Sequence, residues 1–340
     1  MTPIKKVFPD EISLKAKLDE MWNHLTEKLL HTTQQERIDI QAYGSRSLKA
    51  LGVAIGFSLL LWVFTSGIVL LLGSLVSLIA GVFAARYILK WGSARSVYTA
   101  KLNILLYEMV FDFFDLKAQH YLNEDEPSTV AEQEKVLQIL THSELLTERT
   151  DKIKVGDVFA TSYTGNNLLV SELFVTRTEG SGKNRRTVTV FKGLFTSFSI
   201  PKKLTGTTFI STEGDETGYG HRGFWNSIVG KSKVEETQLE WNEFEENLHV
   251  ATTDGFEARY ILTTDFMEDL YTWWKIAKRN IRIVFRDEAM HMLFPDKNIK
   301  VSFTTSRSDT AALKKYAMTI ITPIWHVLML LDDVNERFPS

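Results

Sequence analysis

Between Ala50 and Ala85 the chain runs for 36 residues without an acidic or basic side chain. A helix crosses the roughly 30 Å hydrocarbon core with about 20 apolar residues, so this run is too long for one upright span and suits two short ones. The pattern predicts a membrane hairpin. Its reversal falls at Thr65, Ser66 and Gly67, where glycine and small hydroxylated residues accommodate a tight turn. On the second arm Gly73, Ser77 and Gly81 recur every four residues, a spacing that lets helix backbones approach closely in lipid. Packing of one arm on the other is the simpler use of that stripe, and a dimer face is the alternative.

The flanks of the run have their own periods. From Ile12 to Leu30 the apolar residues Leu14, Leu18, Met21, Trp22, Leu25 and Leu29 return at steps of three and four, which predicts an amphipathic helix. Its polar face mixes acids with lysines, so protein packing is preferred to a lipid-surface position. After the run, Tyr98, Leu102, Leu105, Met109 and Phe113 continue a helical seam, extending the second arm into a long helix. Asn123–Thr129 reads as a linker, and Val130–Leu146 as a short helix.

From Lys152 the period changes to two. Val158–Tyr163, Leu168–Thr178, Thr187–Ile200 and Thr207–Ser211 read as antiparallel strands, with residues 180–184 as a hairpin loop. The segment Ser211–Glu236 is glycine-rich and irregular, and Phe224, Trp225, Ile228 and Val229 within it are expected to cover a sheet edge, with a dip into the membrane interface as the alternative. Leu248–Thr253 and Phe256–Leu262 flank Asp254-Gly255, a dipeptide suited to a two-residue turn, and so predict a β-hairpin. A helix follows from Thr264 to about Arg279. Ile281–Phe285 and Met290–Phe294 then form a second hairpin around Asp287 and Glu288. The last apolar segment, Tyr316–Leu331, is short for a span and holds Pro323 and His326, so it reads as a buried helix.

The expected fold class is an α+β membrane protein: a two-helix transmembrane hairpin plus a cytoplasmic domain of mostly antiparallel strands with flanking helices. Four parts follow: an amphipathic helical segment (1–49), the hairpin (50–89), a helical connector (90–150) and the strand-rich domain (151–340). Arg37, Arg46 and Lys49 precede the hairpin while Arg86, Lys90, Arg95 and Lys101 follow it, so both ends are expected in the cytoplasm of a bacterial inner membrane.

Composition removes several classes. The net charge of −3 lacks the positive field of a general nucleic-acid binder. With no cysteine, disulfides, thiolate nucleophiles and cysteine metal sites are excluded. Neither arm holds an ionisable group, which weakens a transporter or channel subunit to the third reading. The eight histidines include no pair four residues apart, and no Gly-x-Ser-x-Gly elbow occurs. Asp112, Asp115, His120 and Glu124 read as a solvated helix face rather than a metal site. Gly230-Lys231-Ser232 ends like a phosphate-binding loop, but Trp225 stands where that motif needs its first glycine. No catalytic residue, metal ligand or cofactor site is therefore assigned. The leading reading is a non-enzymatic protein that binds a protein, a peptide or lipid headgroups, or acts as a scaffold, with a homo-oligomer among its forms. Its rival is a membrane-anchored hydrolase-like enzyme with a site near His221, His249 or His291.

The run Asp254-Gly255-Phe256-Glu257-Ala258-Arg259-Tyr260-Ile261-Leu262-Thr263, followed by Phe266-Met267 and Leu270, resembles a bacterial membrane-protein family catalogued as domain of unknown function 3137. Phe191-Lys192-Gly193-Leu194-Phe195, Leu239-Glu240 and Phe244-Glu245 extend the likeness. The resemblance implies a two-span hairpin, a C-terminal α+β region and the inner membrane. It implies no activity, and it names a LemA-type membrane protein as a candidate partner beside the lipid bilayer itself. Within the run, Glu257 and Arg259 are two apart on the expected strand and share a face, forming a recognition pair or a structural one. Lys183, Arg185, Arg186, Lys202 and Lys203 are candidate contacts to anionic headgroups.

Overall fold

The protein is described by a computed structural model covering residues 16–17, 19–22, 27, 31–32, 34–63, 67–117, 119–121, 127–147, 149–212, 234–237, 239, 241–245, 247–277, 281–295 and 310–338. The expected hairpin tip at Thr65-Ser66 and the irregular segment with His221, Phe224, Trp225 and Gly230-Lys231-Ser232 lie outside these residues. Of the expected early helix, residues 16–17, 19–22 and 27 are described and are helical. The chain divides into two compact units, one built on residues 9–109 with 302–316, the other on 110–301 with 317–340 and the first eight residues.

In the first unit, helix α1 spans Gln34–Val63 and helix α2 spans Gly67–Phe113. They run antiparallel. Lys101 pairs with Glu36, Lys90 lies over the Tyr43 ring at 5.6 Å, and the Ser58 hydroxyl is 3.4 Å from that of Ser77. Residues early in α1 thus meet residues late in α2, as in a hairpin. The Lys101 ammonium holds the Glu36 carboxyl below its usual range. Apolar side chains point outward over the same length: Leu48, Val53, Ile55, Leu59, Leu75, Leu78, Val82, Phe83 and Leu89 are exposed. Among the described residues one stretch, Gly73–Tyr98, is long and apolar enough to cross a membrane, and only 11% of its span window is buried. A core helix of a water-soluble domain hides such a surface.

The second unit is α+β. Helix α3 (Pro127–Ser143) is followed by strands β2 (Lys152–Tyr163), β3 (Asn166–Glu179), β4 (Arg186–Ser199) and β5 (Thr207–Thr212), preceded by the short β1 (Gln119–Tyr121). Then come β6 (Glu235–Glu236), α4 (Asn242–Glu245), β7 (Leu248–Thr252), α5 (Gly255–Ile261), α6 (Thr264–Ala277), β8 (Arg282–Arg286), β9 (Ala289–Pro295) and α7 (Thr310–Arg337). The nine described strands join one sheet in the order β1-β2-β3-β4-β9-β8-β5-β7-β6, with every pairing antiparallel. The β8–β9 hairpin is therefore inserted between β4 and β5.

Val, Leu and Phe alternate along these strands, and on one face Val136, Leu140 and Leu145 from α3 and its exit pack on Val155, Leu173, Phe195, Phe209, Val284 and Leu293. Burial of six successive residues in β3 shows that both faces are covered there. Two arginines hold the α3 exit to β8. Arg282, fully buried, donates from Nη1 to the Leu145 carbonyl at 2.9 Å, and Arg286 pairs with Glu144 at 3.4 Å and donates to the His142 carbonyl. The segment expected as a buried helix, Tyr316–Leu331, lies inside α7, whose Ile321, Ile324, Leu328 and Leu331 are buried. The Tyr163 hydroxyl donates to Asp332 at 2.5 Å, and Asn166 donates to Asn335 at 3.0 Å. Burial and that carboxylate push the Tyr163 hydroxyl above its usual range.

One expectation is overturned. Phe256–Leu262 is not the second strand of a hairpin but the helix α5. Asp254 does not turn the chain back; its carboxylate accepts from the backbone N–H of Phe256 at 3.0 Å and Glu257 at 3.1 Å, capping the helix. Ala258 N–H then donates to the Asp254 carbonyl and Leu262 N–H to that of Ala258. Asp-Gly serves both as a hairpin turn and as the cap and first residue of a helix. Apolar residues at 258, 261 and 262, all buried, decide for the helix because they fall on one helical face.

Candidate functional site

Helix α5 sorts its side chains by direction. At about 100° per residue, positions two apart point to nearly opposite sides, so Glu257 and Arg259 do not share a face. That corrects the strand-based pairing. Glu257 turns inward and is buried, with one carboxylate oxygen accepting from the Thr205 N–H at 3.0 Å and the other from the Gly206 N–H at 2.7 Å. It latches the loop between β4 and β5 to the helix. A Cβ on Gly206 would lie 2.8 Å from the Asp254 Cβ, so the close approach requires glycine.

Arg259 turns the other way, into an open cleft of about 600 Å³ lined by Leu239, Trp241, Arg259, Leu262, Thr263, Thr264, Met267 and Glu268. Its guanidinium has no hydrogen bond or ion pair among the described residues, and the same holds for Glu268. One wall is aromatic. Trp241 stacks on Phe244 with centroids 5.8 Å apart and meets Tyr271 edge-on at 5.2 Å, while Tyr271 stacks on Trp274 at 5.8 Å. Glu243 fixes the outer end, accepting from the Tyr271 hydroxyl at 2.7 Å and from Lys275 at 3.2 Å. Those two donors hold the Glu243 carboxyl below its usual range. The cleft thus offers a planar cation and a carboxylate, neither partnered among the described residues, and an apolar-aromatic floor. Such a set grips a side chain or segment carrying charge beside an apolar group.

Sequence reasoning singled out Arg259 as a site residue but not the cleft around it, since Leu239 and Trp241 lie in the connection before α4 and Met267 on α6. The five basic candidates separate into two groups. Lys183 sits in the short 3-10 turn Gly182–Asn184, next to Arg185 and Arg186 at the β3–β4 tip. Arg186 pairs there with Glu179 at 2.9 Å. Lys202 and Lys203 follow the far end of β4, roughly 45 Å away along a strand of this length.

The histidines of the enzyme reading that are described do not converge. His249 on β7 and His291 on β9 are separated by β5 and β8, three interstrand steps or about 14 Å. His291 is 5% exposed and stacks on Phe195 with centroids 6.2 Å apart, while Nδ1 is buried with no hydrogen-bond partner among the described residues. Burial, aided by the positive charges of His142 and Arg286, lowers its pKa to about 4. His249 faces Glu236 at 3.5 Å. His142 contacts Asp287 at 2.9 Å on the exposed surface. Among the described residues no group of three or more histidine and acidic side chains is arranged to hold a metal.

The cleft, α5, strands β5 to β9 and most of β4 fall within residues 189–335, which match the model of the family described as Protein of unknown function (DUF3137). That stretch, rather than the whole chain, carries the match to the DUF3137 family. No curated protein matches the chain. Among solved structures the chain is similar to the mycobacterial trehalose monomycolate transport factor A, TtfA, at 7% identity and a TM-score of 0.33, covering 68% of this chain and 94% of that one. A likeness so distant adds nothing to the DUF3137 assignment. Both Glu257 and Arg259 lie in the DUF3137 stretch.

Proposed function

We propose that this chain is a bacterial inner-membrane protein, anchored by the α1–α2 hairpin with both ends in the cytoplasm, whose strand-rich part binds a segment of a partner protein without catalysis. The anchor is supported by the outward-facing apolar residues of both helices, which match a lipid surroundings and would be costly in water. The observation that carries the binding function is Arg259, whose guanidinium has no partner among the described residues and opens on a cleft that otherwise presents Trp241, Leu262 and Met267. An acidic side chain next to an apolar one satisfies both features. A LemA-type membrane protein is one candidate source of that segment.

The test uses the full chain in native membranes with a photo-crosslinking residue in place of Glu268. The expected result is a discrete adduct that disappears when Arg259→Glu is added. Absence of an adduct, or one indifferent to Arg259→Glu, overturns the cleft as the binding site. Topology is checked in the cysteine-free chain by Ser340→Cys. Labelling of intact cells by an impermeant thiol reagent would refute a cytoplasmic C-terminus.

A further inference from the structure

Helix α5 has a third direction that neither the cleft nor the latch uses. Phe256 is 84% exposed and Tyr260 42% exposed, four apart and so on one face of the helix. In the strand-rich unit Phe256 is the most exposed of the large hydrophobic side chains described. It is not a loose loop residue. The Asp254 cap, the buried Ala258 and Ile261 and the Glu257 latch hold the helix from the other sides, so Phe256 is presented rigidly.

The same latch arranges the charges. By tying Thr205 and Gly206 to α5, Glu257 brings the preceding lysines against its outer face. The Lys202 ammonium lies 3.9 Å from the Tyr260 ring centroid, and Lys203 beside it is exposed. The Tyr260 hydroxyl reaches the Arg337 carbonyl at 3.4 Å, which orients the ring. Two aromatic side chains flanked by two lysines have the composition that settles at a bilayer interface, where rings enter the headgroup level and ammonium groups meet anionic lipid. Two lysines at such a surface attract anionic lipid too weakly to recruit a free protein. A domain already tethered to the bilayer needs no recruitment, because the tether supplies a high effective concentration.

We infer that Phe256, Tyr260, Lys202 and Lys203 form a docking patch that seats the strand-rich unit on the anionic surface of the bilayer. This rests on the membrane-anchored reading above. It takes Lys202 and Lys203 as headgroup contacts and leaves the distant Lys183, Arg185 and Arg186 out of the patch.

The absence of cysteine allows a single nitroxide label at Phe256→Cys in the full chain, reconstituted into phosphatidylethanolamine–phosphatidylglycerol vesicles. The expected result is that oxygen relaxes the label more effectively than a water-soluble nickel chelate. A label at Val130→Cys, on α3, should show the opposite order. Adding Lys202→Glu and Lys203→Glu, or replacing phosphatidylglycerol by phosphatidylcholine, should return the label at position 256 to the aqueous order. A label at 256 that is aqueous in anionic vesicles overturns the patch, and so does immersion indifferent to the lysine changes. Flotation after an alkaline wash separates the two failures. Protein that fails to float overturns the anchor, whereas protein that floats with an aqueous label overturns the patch alone.

Discussion

The carboxylate of Glu257 accepts the backbone N–H of Gly206 at 2.7 Å, across 51 residues of sequence. Its second oxygen takes the Thr205 N–H, so one buried side chain satisfies two consecutive donors. Glu257→Ala leaves both without that acceptor and is expected to cost about 2 kcal/mol. Gly206→Ala is expected to cost about 1–3 kcal/mol by forcing its Cβ against Asp254 and Thr253. Denaturant or thermal unfolding in detergent would check both. A surface ion pair in place of this latch would leave both variants within about 0.5 kcal/mol of the parent.

The helix assignment of α5 makes a prediction of opposite sign at two adjacent residues. Gly255 sits in the first turn at a φ open to other residues, and an added Cβ meets nothing within 4 Å. Gly255→Ala should therefore stabilise by about 0.4–1 kcal/mol through the unfolded chain. Asp254→Ala removes the cap and should destabilise by about 1 kcal/mol. In a two-residue hairpin turn Gly255 would need a positive φ, and alanine there would be strained. A destabilised Gly255→Ala would thus restore the hairpin.

This pair of residues marks where the sequence pattern stopped being informative. The strands β2 to β5, β8 and β9 were legible because alternation and β-branched content are local properties. The glycine and acid residues at 180–184 and 287–288 likewise announced their turns, and Asp287 adopts a φ of 53°. Asp254-Gly255 was ambiguous because a turn and a helix cap want the same chemistry. The signal for the helix was present in Ala258, Ile261 and Leu262. Insertion of β8–β9 between β4 and β5 was not legible, since it depends on pairings distant in sequence. The cleft was hidden for a different reason: its lining falls within residues 239–268, but Leu239 and Trp241 meet Arg259 and Met267 only when Phe256–Leu262 is a helix rather than a strand.

His291 gives the unit an acid sensitivity. Its pKa falls from 6.5 to about 4 in the folded chain. The unfolded chain therefore binds a proton near pH 6.5 that the folded chain accepts only near pH 4. This group's stability contribution is complete above about pH 6.5 and is lost as pH falls from there to about 4, a change of about 3 kcal/mol. Carboxylates held low by their partners, such as Glu179 by Arg186 and Arg177, also lose stability in acid. The comparison is thus between the parent and His291→Leu. The unfolding midpoint of the variant should fall less between pH 7 and pH 4.5, and equal slopes would show that the buried imidazole does not resist protonation.

The hairpin has a test that uses its lack of sulfur. Ser58 on α1 and Ser77 on α2 have hydroxyl oxygens 3.4 Å apart, so the two side chains point at one another and are the natural pair for a test disulfide. With no native cysteine, the double variant Ser58→Cys, Ser77→Cys offers one intrachain bond and no competitors. Oxidation in membranes should produce a monomer of faster mobility on a non-reducing gel, reversed by reductant. Moving one cysteine to Leu78, on the exposed side of α2, should abolish it. If the hairpin is the proposed anchor, the serine pair itself is expected to contribute only about 0.6 kcal/mol, because a polar side chain in lipid finds other partners in the unpaired helix. Ser77→Ala should therefore leave the hairpin assembled. Its specificity must come from close approach along the arms, where Gly44 lies 3.4 Å from the Trp91 ring when given a Cβ. Gly44→Leu is the substitution expected to splay the helices and suppress the 58–77 disulfide.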